Sequence, residues 1–249
     1  MIGSVERYSS SSRKKRVNFF GSRALRITIL ALILFIIVSR FFVSTYRIES
    51  VSMDPTLKPA DRVLASVIGF GARIPFTQSL LPGLVQPARG DIVVVQPPYF
   101  GDDSVLKRIF EPFVSFFTLQ KASLYKDPAG GRAQGYVVKR IIGIPGDTVR
   151  MRGFVAYIKP RGASEFTVET SLMKFPSAPR TAVQAQGWQP EFPYAGSTDD
   201  VVLRDGEYFV LGDNRPDSSD SRSWGVLPRS RVVAKVILRY WPPRSFGAF

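Results

Sequence analysis

Residues 25–43, LRITILALILFIIVSRFFV, form the segment that most restricts how this chain can be organised. The charge-free run from Ile27 to Ser39, continued by residues 41–43, approaches the ~20 apolar residues that cross a bilayer core. Residues 1–26 contain seven Lys or Arg and one acid, Glu6, and positive residues stay on the cytoplasmic side. We therefore expect a basic cytoplasmic tail over 1–24, one transmembrane helix over 25–43 and an extracytoplasmic domain over 44–249.

A cleaved secretory signal peptide is the alternative interpretation of this segment. The apolar run is long for the hydrophobic part of a signal peptide, and the residues that follow, VSTYRI, lack a small-x-small cleavage pattern. The clustered Lys and Arg on one flank argue against a helix buried in a soluble core. The pattern therefore favours a membrane anchor.

The charge balance and the missing residue types exclude several classes of function. The formal net charge is +14, and residues 1–26 carry a net +6 of it, which leaves +8 for the rest of the chain. No basic stripe interleaved with aromatic residues follows, so nucleic acid is not an expected partner. The chain contains no Cys, which excludes disulfides, thiolate metal sites and a thiol nucleophile and is compatible with an oxidising compartment.

After the apolar segment, short runs rich in Val, Ile, Tyr and Phe are separated by Gly and Pro, which predicts a mostly antiparallel β fold. The runs are DRVLASVI (61–68), GDIVVVQP (90–97), GYVVKRIIGI (135–144), DTVRMRGFVAYIK (147–159), EYFVLGD (207–213) and RVVAKVILRYW (231–241). Strands do not alternate with helices, so a doubly wound fold is not favoured. Residues 153–202, of which about 160–200 are rich in Pro and Gly, are expected to form an inserted, loop-heavy cap.

One segment departs from the β pattern. Residues 105–124, VLKRIFEPFVSFFTLQKASL, place apolar side chains at nearly helical spacing, and Pro112 interrupts them. Two interpretations stay open: an element packed on the core, or an aromatic surface that rests in the bilayer interface beside the anchor.

The stretch ESVSMDPTL, residues 49–57, raises a chemical question because the chain contains no His. A serine hydroxyl needs a neighbouring base before it can act as a nucleophile, and here the base would have to be Lys, Asp, Glu or Tyr. Lys139 lies in the apolar run YVVKRII, where burial would lower its pKa and favour the neutral amine. Taken alone, the residues leave open a lysine that points outward from a half-buried strand and is simply solvated.

Four motifs occur in order after the apolar segment: SVSMDPTL, RGDIVVV, YVVKRIIGIPGD and GEYFVLGDNRPDSSDSRSWGVLP. Together they resemble the successive motifs of bacterial type I signal peptidases. The resemblance covers roughly residues 25–68, 87–97, 135–152 and 203–240, and it does not extend to the segments between them. It implies an antiparallel β catalytic domain of signal-peptidase type, with a small inserted cap and one preceding transmembrane helix.

The resemblance also implies an endopeptidase that uses a Ser/Lys dyad. Ser52 would be the nucleophile and Lys139 the general base. Ser50 would support the oxyanion hole together with the backbone N–H of Ser52, and Ser218 would hydrogen-bond the lysine amine and orient it.

Further motif residues are expected to be structural or to contact the substrate. Asp220 and Arg222 would form a charged pair that braces the active-site loops, and Asp213, Asn214 and Arg140 are expected near the site in structural roles. Shallow apolar pockets would accept small side chains one and three residues before the cut, with the substrate added as a strand. The residues expected to line these pockets are Ile48, Met53, Leu57 and Val138.

Two residues depart from the usual pattern of these motifs. Val51 stands between the two serines where Gly is common, and a β-branched residue needs a negative φ, which restricts the turn that carries Ser50. Pro216 stands where an acidic or amide residue is usual, in the loop before Ser218. The carboxylates of DNRPDSSD (213–220) lack the mid-loop Gly and closing Glu of a calcium loop, so no metal site is expected, and no cofactor.

The function expected from these features is a membrane-anchored serine endopeptidase that cleaves N-terminal signal peptides from translocated preproteins. It would lie in the cytoplasmic membrane as a single-pass protein, with its N-terminus in the cytoplasm and its catalytic domain outside. Secretory preproteins and membrane lipid are the expected partners, and proximity to the secretion translocon is compatible with this. Two alternatives stay open: a specialised relative that processes a dedicated pilin or conjugation substrate, and a catalytically silent, membrane-tethered binding domain.

Overall fold

A computed structural model of the chain describes residues 23–35, 43–67, 85–99, 114, 135–175, 178–182 and 196–249. Residues 23–35 are helical. Across these ranges, no helix combines the length and the apolar character that crossing a membrane requires. The expected basic tail up to residue 22, residues 36–42 of the expected anchor, and the segment 105–124 except residue 114 lie outside the described residues.

The described secondary structure after residue 42 is almost entirely β. The strands are β1 (Val43–Arg47), β2 (Arg62–Ser66), β3 (Ile92–Val95), β4 (Val137–Gly143), β5 (Thr148–Arg152), β6 (Val155–Lys159), β7 (Thr167–Val168), β8 (Thr198–Val202), β9 (Glu207–Leu211), β10 (Leu227–Pro228), β11 (Val232–Trp241) and β12 (Gly247–Ala248). Short α-helices span Glu169–Leu172 and Ser221–Trp224, and 3-10 turns span Val51–Met53, Arg215–Asp217, Arg229–Arg231 and Pro243–Ser245. Val43, expected as the last residue of the anchor, instead begins β1.

The larger sheet contains eight strands in the order β1-β2-β11-β3-β4-β9-β10, with β12 paired to β11. All of these pairings are antiparallel, so the prediction of a mostly antiparallel β fold is confirmed. All four residues of β3, Ile92–Val95, are buried. Their uninterrupted apolar run fits a central strand that is covered on both faces, because such a strand has no solvent side for polar residues.

The smaller sheet contains four strands in the order β7-β6-β5-β8. Residues 147–159, expected as one run, form the hairpin β5–β6, in which Arg152 pairs with Val155. The two linking residues, Gly153 and Phe154, have φ of 55° and 68°, as a two-residue type I′ turn requires. The single Gly before an aromatic residue did not reveal this turn in the sequence.

The segment 153–202 differs from its expected loop-heavy character. Its described parts include β6, β7 and β8, which build most of the smaller sheet on β5. Apolar residues that alternate along β6 explain this, because Ala156 and Ile158 are fully buried and supply the inward face of a half-buried strand.

One of the apolar clusters joins the two sheets. Ile142 from β4 and Phe209 from β9 pack with Val149 from β5 and Ile158 from β6. The smaller sheet therefore rests on β4 and β9 beside the loop that follows β9. This placement brings residues from both sheets to the candidate site.

Candidate active site

Ser52 is held in a 3-10 turn, Val51–Met53, that follows β1. The Asp54 N–H donates to the Val51 carbonyl at 3.0 Å, and the Leu57 N–H donates to the Met53 carbonyl at 2.9 Å. Ser52 is only 7% exposed. The turn therefore fixes the direction of its hydroxyl in a nearly dry environment.

Lys139 reaches this hydroxyl from the middle of the larger sheet. It lies on β4 opposite Val93 of β3, is only 3% exposed, and its Nζ donates to Ser52 Oγ at 2.8 Å. The alternative of an outward-pointing, solvated lysine is therefore wrong. The physical reason is that the Ser52 turn packs against β4 and covers this residue.

Burial is the main influence on the Lys139 amine, and it lowers the pKa from 10.5 to about 8. The Asp220 carboxylate raises the pKa, the Arg222 guanidinium lowers it, and the carboxylates of Asp213 and Asp217 raise it by less. A desolvated ammonium loses its hydration, and the three aspartates, opposed by one arginine, do not fully offset that loss. The amine can therefore exchange a proton near neutral pH.

Ser50 lies beside the nucleophile candidate, with 3.0 Å between its Oγ and Ser52 Oγ. Val51 between them is 41% exposed and is not among the described residues with positive φ. A 3-10 turn needs only negative φ, so the β-branched residue fits here without backbone strain. The hydroxyl of Ser50 thus stands within reach of any oxygen that develops charge next to Ser52.

Asn214 fixes the backbone of the Ser52 turn from the loop after β9. Its N–H donates to the Ser52 carbonyl at 3.0 Å, and its side-chain Nδ2 donates to the Val51 carbonyl at 3.2 Å. The first bond holds the Ser52 carbonyl from outside the turn, and the second adds a donor to the Val51 carbonyl, which already accepts from the Asp54 N–H. Asn214 therefore holds the turn in place without touching the Ser52 hydroxyl.

A buried ion pair lies under the same turn. Arg140 donates to both carboxylate oxygens of Asp213, at 2.9 Å from Nε and 2.6 Å from Nη2, and both side chains are at most 2% exposed. Thr56 Oγ1 donates to Asp213 Oδ2 at 2.5 Å, and Arg140 Nη1 donates to the Gly90 carbonyl. The network connects the residues after Ser52 to β4 and to the loop after β9. Thr56 was not expected here, although it lies in the SMDPT motif.

Asp220 and Arg222 form a second buried pair whose charges act on the lysine. Arg222 donates to Asp220 from Nε at 2.8 Å and from Nη2 at 2.9 Å, and it also donates to the carbonyls of Arg215 and Ser218. Burial raises the pKa of the Asp220 carboxyl, but hydrogen bonds and charge from Arg222, with the charge of Lys139, outweigh burial and hold the pKa below its usual value. Asp220 therefore stays ionised and also accepts from the Gly212 N–H.

Ser218 does not make the contact expected of it. Its hydroxyl is buried and makes no hydrogen bond to the Lys139 amine; it instead helps to lower the pKa of the Asp220 carboxyl. The amine's close partner in this structure is Ser52 Oγ. Gly212 lies against Ser218, since a Cβ at Gly212 would overlap Ser218 Oγ and the Ser52 carbonyl oxygen.

The expected apolar pocket also needs correction. Ile48, Met53 and Leu57 are 4%, 1% and 0% exposed and belong to one core cluster with strands β2, β3 and β11. Val138 is half-buried and packs against that cluster. The first three residues are therefore core, because the Ser52 turn presses its apolar side chains inward, and only Val138 keeps surface that a substrate could contact.

Arg215 and Glu169 form a buried ion pair that the sequence did not reveal. Arg215 donates to Glu169 at 2.8 Å from Nη1 and 2.6 Å from Nη2, and both side chains are at most 3% exposed. Arg215 Nε also donates to the Gly212 carbonyl. The pair joins the loop after β9 to the helix that follows β7. Glu169 lies in the segment expected to form an inserted, loop-heavy cap, and nothing in the sequence around it signals burial.

The chemistry open to this arrangement is that of a serine activated by an amine. Among the described residues, no group of His, Cys, Asp or Glu is arranged to hold a metal ion. The buried carboxylates Asp213, Glu169 and Asp220 are each paired with an arginine. The hydroxyl of Ser52 and the amine of Lys139 are therefore the pair through which a proton can pass.

A family model and several known proteins are similar to this chain. A family model described as signal peptidase, peptidase S26, matches residues 22–241. Signal peptidase IB of Staphylococcus aureus is 29% identical over 216 residues, which are 87% of this chain and 87% of that protein. Probable signal peptidase I-2 of Synechocystis is 29% identical over 217 residues, which are 87% of this chain and 72% of that protein.

Among solved structures, a crystal structure of a signal peptidase I from Enterococcus faecalis is similar to part of the chain. It is 23% identical and covers 61% of this chain and 97% of its own, with a TM-score of 0.30.

Proposed function

This chain belongs to the signal peptidase family, peptidase S26, and on that premise we propose that it removes N-terminal signal peptides from translocated preproteins with Ser52 as nucleophile and Lys139 as base. As a member of this family the chain is a serine peptidase. The observation that carries the dyad is the 2.8 Å contact between a buried amine and a buried hydroxyl. The lowered pKa of Lys139 supports it.

Cleavage begins when neutral Lys139 takes the proton of Ser52 as Oγ attacks the scissile carbonyl carbon. The carbonyl π electrons move to oxygen and form a tetrahedral oxyanion. When the oxyanion collapses, the C–N bond breaks and the Lys139 ammonium donates its proton to the leaving amine. The mature N-terminus departs, and the signal peptide remains as an ester on Ser52.

In the second half of the reaction, the ester on Ser52 is hydrolysed and water is the nucleophile. Lys139, neutral again, takes a proton from a water molecule that attacks the ester carbonyl. Collapse of the second oxyanion breaks the bond to Ser52 Oγ, and the ammonium returns the proton to that oxygen. Serine and amine are regenerated, and the signal peptide leaves with a free carboxylate.

The oxyanion would form beside Ser50. Its hydroxyl lies 3.0 Å from Ser52 Oγ and can turn to donate to the oxyanion, with the Ser52 N–H as the second donor. Donors that are already oriented stabilise the transition state more than the ground state. Asn214 supports this role because it holds the carbonyls on either side of the Ser52 N–H.

The substrate would bind as a strand next to β4. Among the described strands, Val137, Val138 and Lys139 pair only with β3, since β9 pairs with β4 from Arg140 onward. The edge of β4 that faces away from β3 therefore pairs with no described strand over residues 137–139, and it ends at Lys139, next to Ser52. An extended peptide can add to such an edge through main-chain hydrogen bonds, and half-buried Val138 would contact its small side chains.

Membrane anchoring belongs to the same proposal. The apolar residues 25–43 and the basic residues before them support a single transmembrane helix with the N-terminus in the cytoplasm. The catalytic domain, residues 44–249 with 153–202 as an insertion, would then meet preproteins, and membrane lipid, on the outer side. Emerging preproteins at the translocon would be within reach.

The direct test is processing of a secretory precursor by the purified full-length protein in detergent. We expect Ser52→Ala and Lys139→Ala to abolish the appearance of the mature product, because the described residues offer no other pair of a nucleophile and a base at this site. Lys58→Ala is the matched control, since Lys58 is exposed close to the same turn. Equal processing by the wild type and both variants would dismiss the dyad.

The same assay separates the alternatives. A wild-type protein that cleaves a pilin-type or conjugation precursor and no general secretory precursor would identify a specialised relative. A wild-type protein that cleaves neither and binds the precursors would identify a silent binding domain.

The orientation has its own test, because the natural chain contains no Cys. Single cysteines are placed at Ser10 in the tail and at Lys58, and intact cells are treated with a membrane-impermeant maleimide. We expect labelling at position 58 and none at position 10 until the cells are opened. The reverse pattern would overturn the orientation.

A further inference from the structure

Residues 178–182, from the segment expected to be a cap, contact the loop that holds the nucleophile turn. The Arg180 N–H donates to the Asp213 carbonyl at 2.8 Å, and the Arg215 N–H donates to the Arg180 carbonyl at 3.0 Å. These bonds form a parallel bridge between Arg180 and Asn214. The backbone of Arg180 is therefore fixed beside Asn214, whose N–H donates to the Ser52 carbonyl.

The side chain of Arg180 reaches the nucleophile turn itself. Its Nη2 lies 2.6 Å from Asp54 Oδ2, and the Asp54 N–H closes the turn on the Val51 carbonyl. The other carboxylate oxygen, Asp54 Oδ1, is buried and has no hydrogen-bond partner among the described residues. Arg180 is thus the charge partner of a carboxylate that lies two residues after Ser52.

We propose that Arg180 is a positioning residue that holds the Ser52 turn at the geometry needed for attack. The inference rests on the proposed function, since it concerns the turnover of that same dyad. Arg180 and Asn214 hold the same turn at different points. Asn214 binds the carbonyls of Val51 and Ser52, and Arg180 binds the carboxylate of Asp54. The segment that carries Arg180 is therefore part of the working site.

The geometry favours an effect on rate over an effect on stability. The Arg180 side chain is 57% exposed, and exposed ion pairs contribute little to folding. A displacement of about 1 Å in a reacting group, by contrast, can reduce a rate by ~100-fold. Loss of the Arg180–Asp54 ion pair should therefore lower kcat while the protein stays folded.

The test compares Arg180→Ala with Arg150→Ala in the precursor assay. Arg150 forms an ion pair with Asp200 in the smaller sheet in which both side chains are exposed, and neither residue contacts the site residues described above. We expect Arg180→Ala to lower kcat by about 10-fold or more and to change KM by less than about twofold. Arg150→Ala should match the wild type in both.

Further variants separate a positioning role from a structural one. Arg180→Lys keeps a cation near Asp54 and should recover part of the lost kcat. Asp54→Asn should lower kcat about as much as Arg180→Ala, and the double variant should lose no more than either single variant, because both remove one interaction. The midpoint of the acidic limb of the pH–rate profile should not move, since Lys139 keeps its surroundings.

Three results would overturn the proposal: wild-type kcat in Arg180→Ala, additive losses in the double variant, or a loss of activity equal to the loss of folded protein in thermal melts. Failure of the proposed function looks different. In that case wild type and Ser52→Ala would behave alike before Arg180 is changed.

Discussion

The Nζ of Lys139 donates a hydrogen bond of 2.8 Å to the Oγ of Ser52, and both residues are at least nine-tenths buried. The amine comes from the central strand β4, and the hydroxyl comes from the turn after the sheet's edge strand β1. Their contact joins residues 87 positions apart in the chain. Because burial sets the pKa of the amine, this relationship leads directly to predictions about pH.

Cleavage should increase with pH through a midpoint of about 8. The active form requires neutral Lys139, whose pKa burial lowers from 10.5 to about 8, so kcat/KM should be low below that pH and level above it. Asp217, an exposed carboxylate, raises the pKa of Lys139, so Asp217→Asn should move the midpoint downward. The measurement is kcat/KM from pH 5 to 10. Asp200→Asn, in the smaller sheet, should leave the midpoint where it is, and an unmoved midpoint in Asp217→Asn would contradict this assignment.

Lys139→Met should stabilise the folded protein below pH 8. The folded pKa is about 8 and the ordinary value is 10.5, so between these the unfolded chain binds more protons and wild-type stability increases with pH. Below pH 8 the buried ammonium costs the folded state up to about 3 kcal/mol. Urea unfolding at pH 6 should show this gain in the free energy of unfolding, and the gain should shrink as pH passes from 8 to 10.5. A gain that does not depend on pH would count against the buried charge.

Gly212→Ala should reduce turnover strongly in a protein that still folds. A Cβ at this position would overlap Ser218 Oγ and the Ser52 carbonyl oxygen, so the Ser52 turn would have to shift. We expect kcat to fall by about 100-fold, measured with circular dichroism as the check of folding. Gly135→Ala is the control, because a Cβ there meets nothing within 4 Å. Equal activity of the two variants would show that the close approach does not matter.

Glu169→Gln should destabilise the protein by about 3–5 kcal/mol, because it leaves the Arg215 guanidinium buried without its counter-charge. Both side chains are at most 3% exposed. The double variant Glu169→Leu/Arg215→Met should lose less, since it removes both charges. Denaturant unfolding measures the free energy of unfolding of the single and the double variant. As the control, Asp200→Asn at the exposed pair with Arg150 should cost at most about 1 kcal/mol. A double variant less stable than Glu169→Gln would contradict this account.

Much of the candidate site lies in motifs that can be recognised in the sequence. Ser52, Lys139, Asp213 and Asn214 could be singled out because the SMDPT, VVKR and GDN stretches occur in a compatible order. The Gly and Pro that separate the apolar runs likewise predicted antiparallel strands. The hairpin at Gly153 was missed because Phe154 has a positive φ of 68°, which an aromatic residue rarely adopts.

Residues whose role depends on burial were less predictable. Met53 and Leu57 were expected to line a pocket and instead lie in the core, because alternation within a short turn does not show which side faces inward. Glu169 and Arg180 lie in the segment expected to be a loop-heavy cap, yet both contact the loop after β9. Ser218 was expected to bind Lys139 and makes no hydrogen bond to it.

The sequence alone determined the kind of chemistry available: without His or Cys, a serine could be activated only by Lys, Asp, Glu or Tyr, and the ordered motifs pointed to one serine and one lysine. Only the tertiary structure decided that the amine is dry, that it points at that hydroxyl, and that Asn214 and Arg180 hold the turn. The physical reason is that desolvation and distance are properties of surroundings, and those surroundings come from strands far apart in the chain.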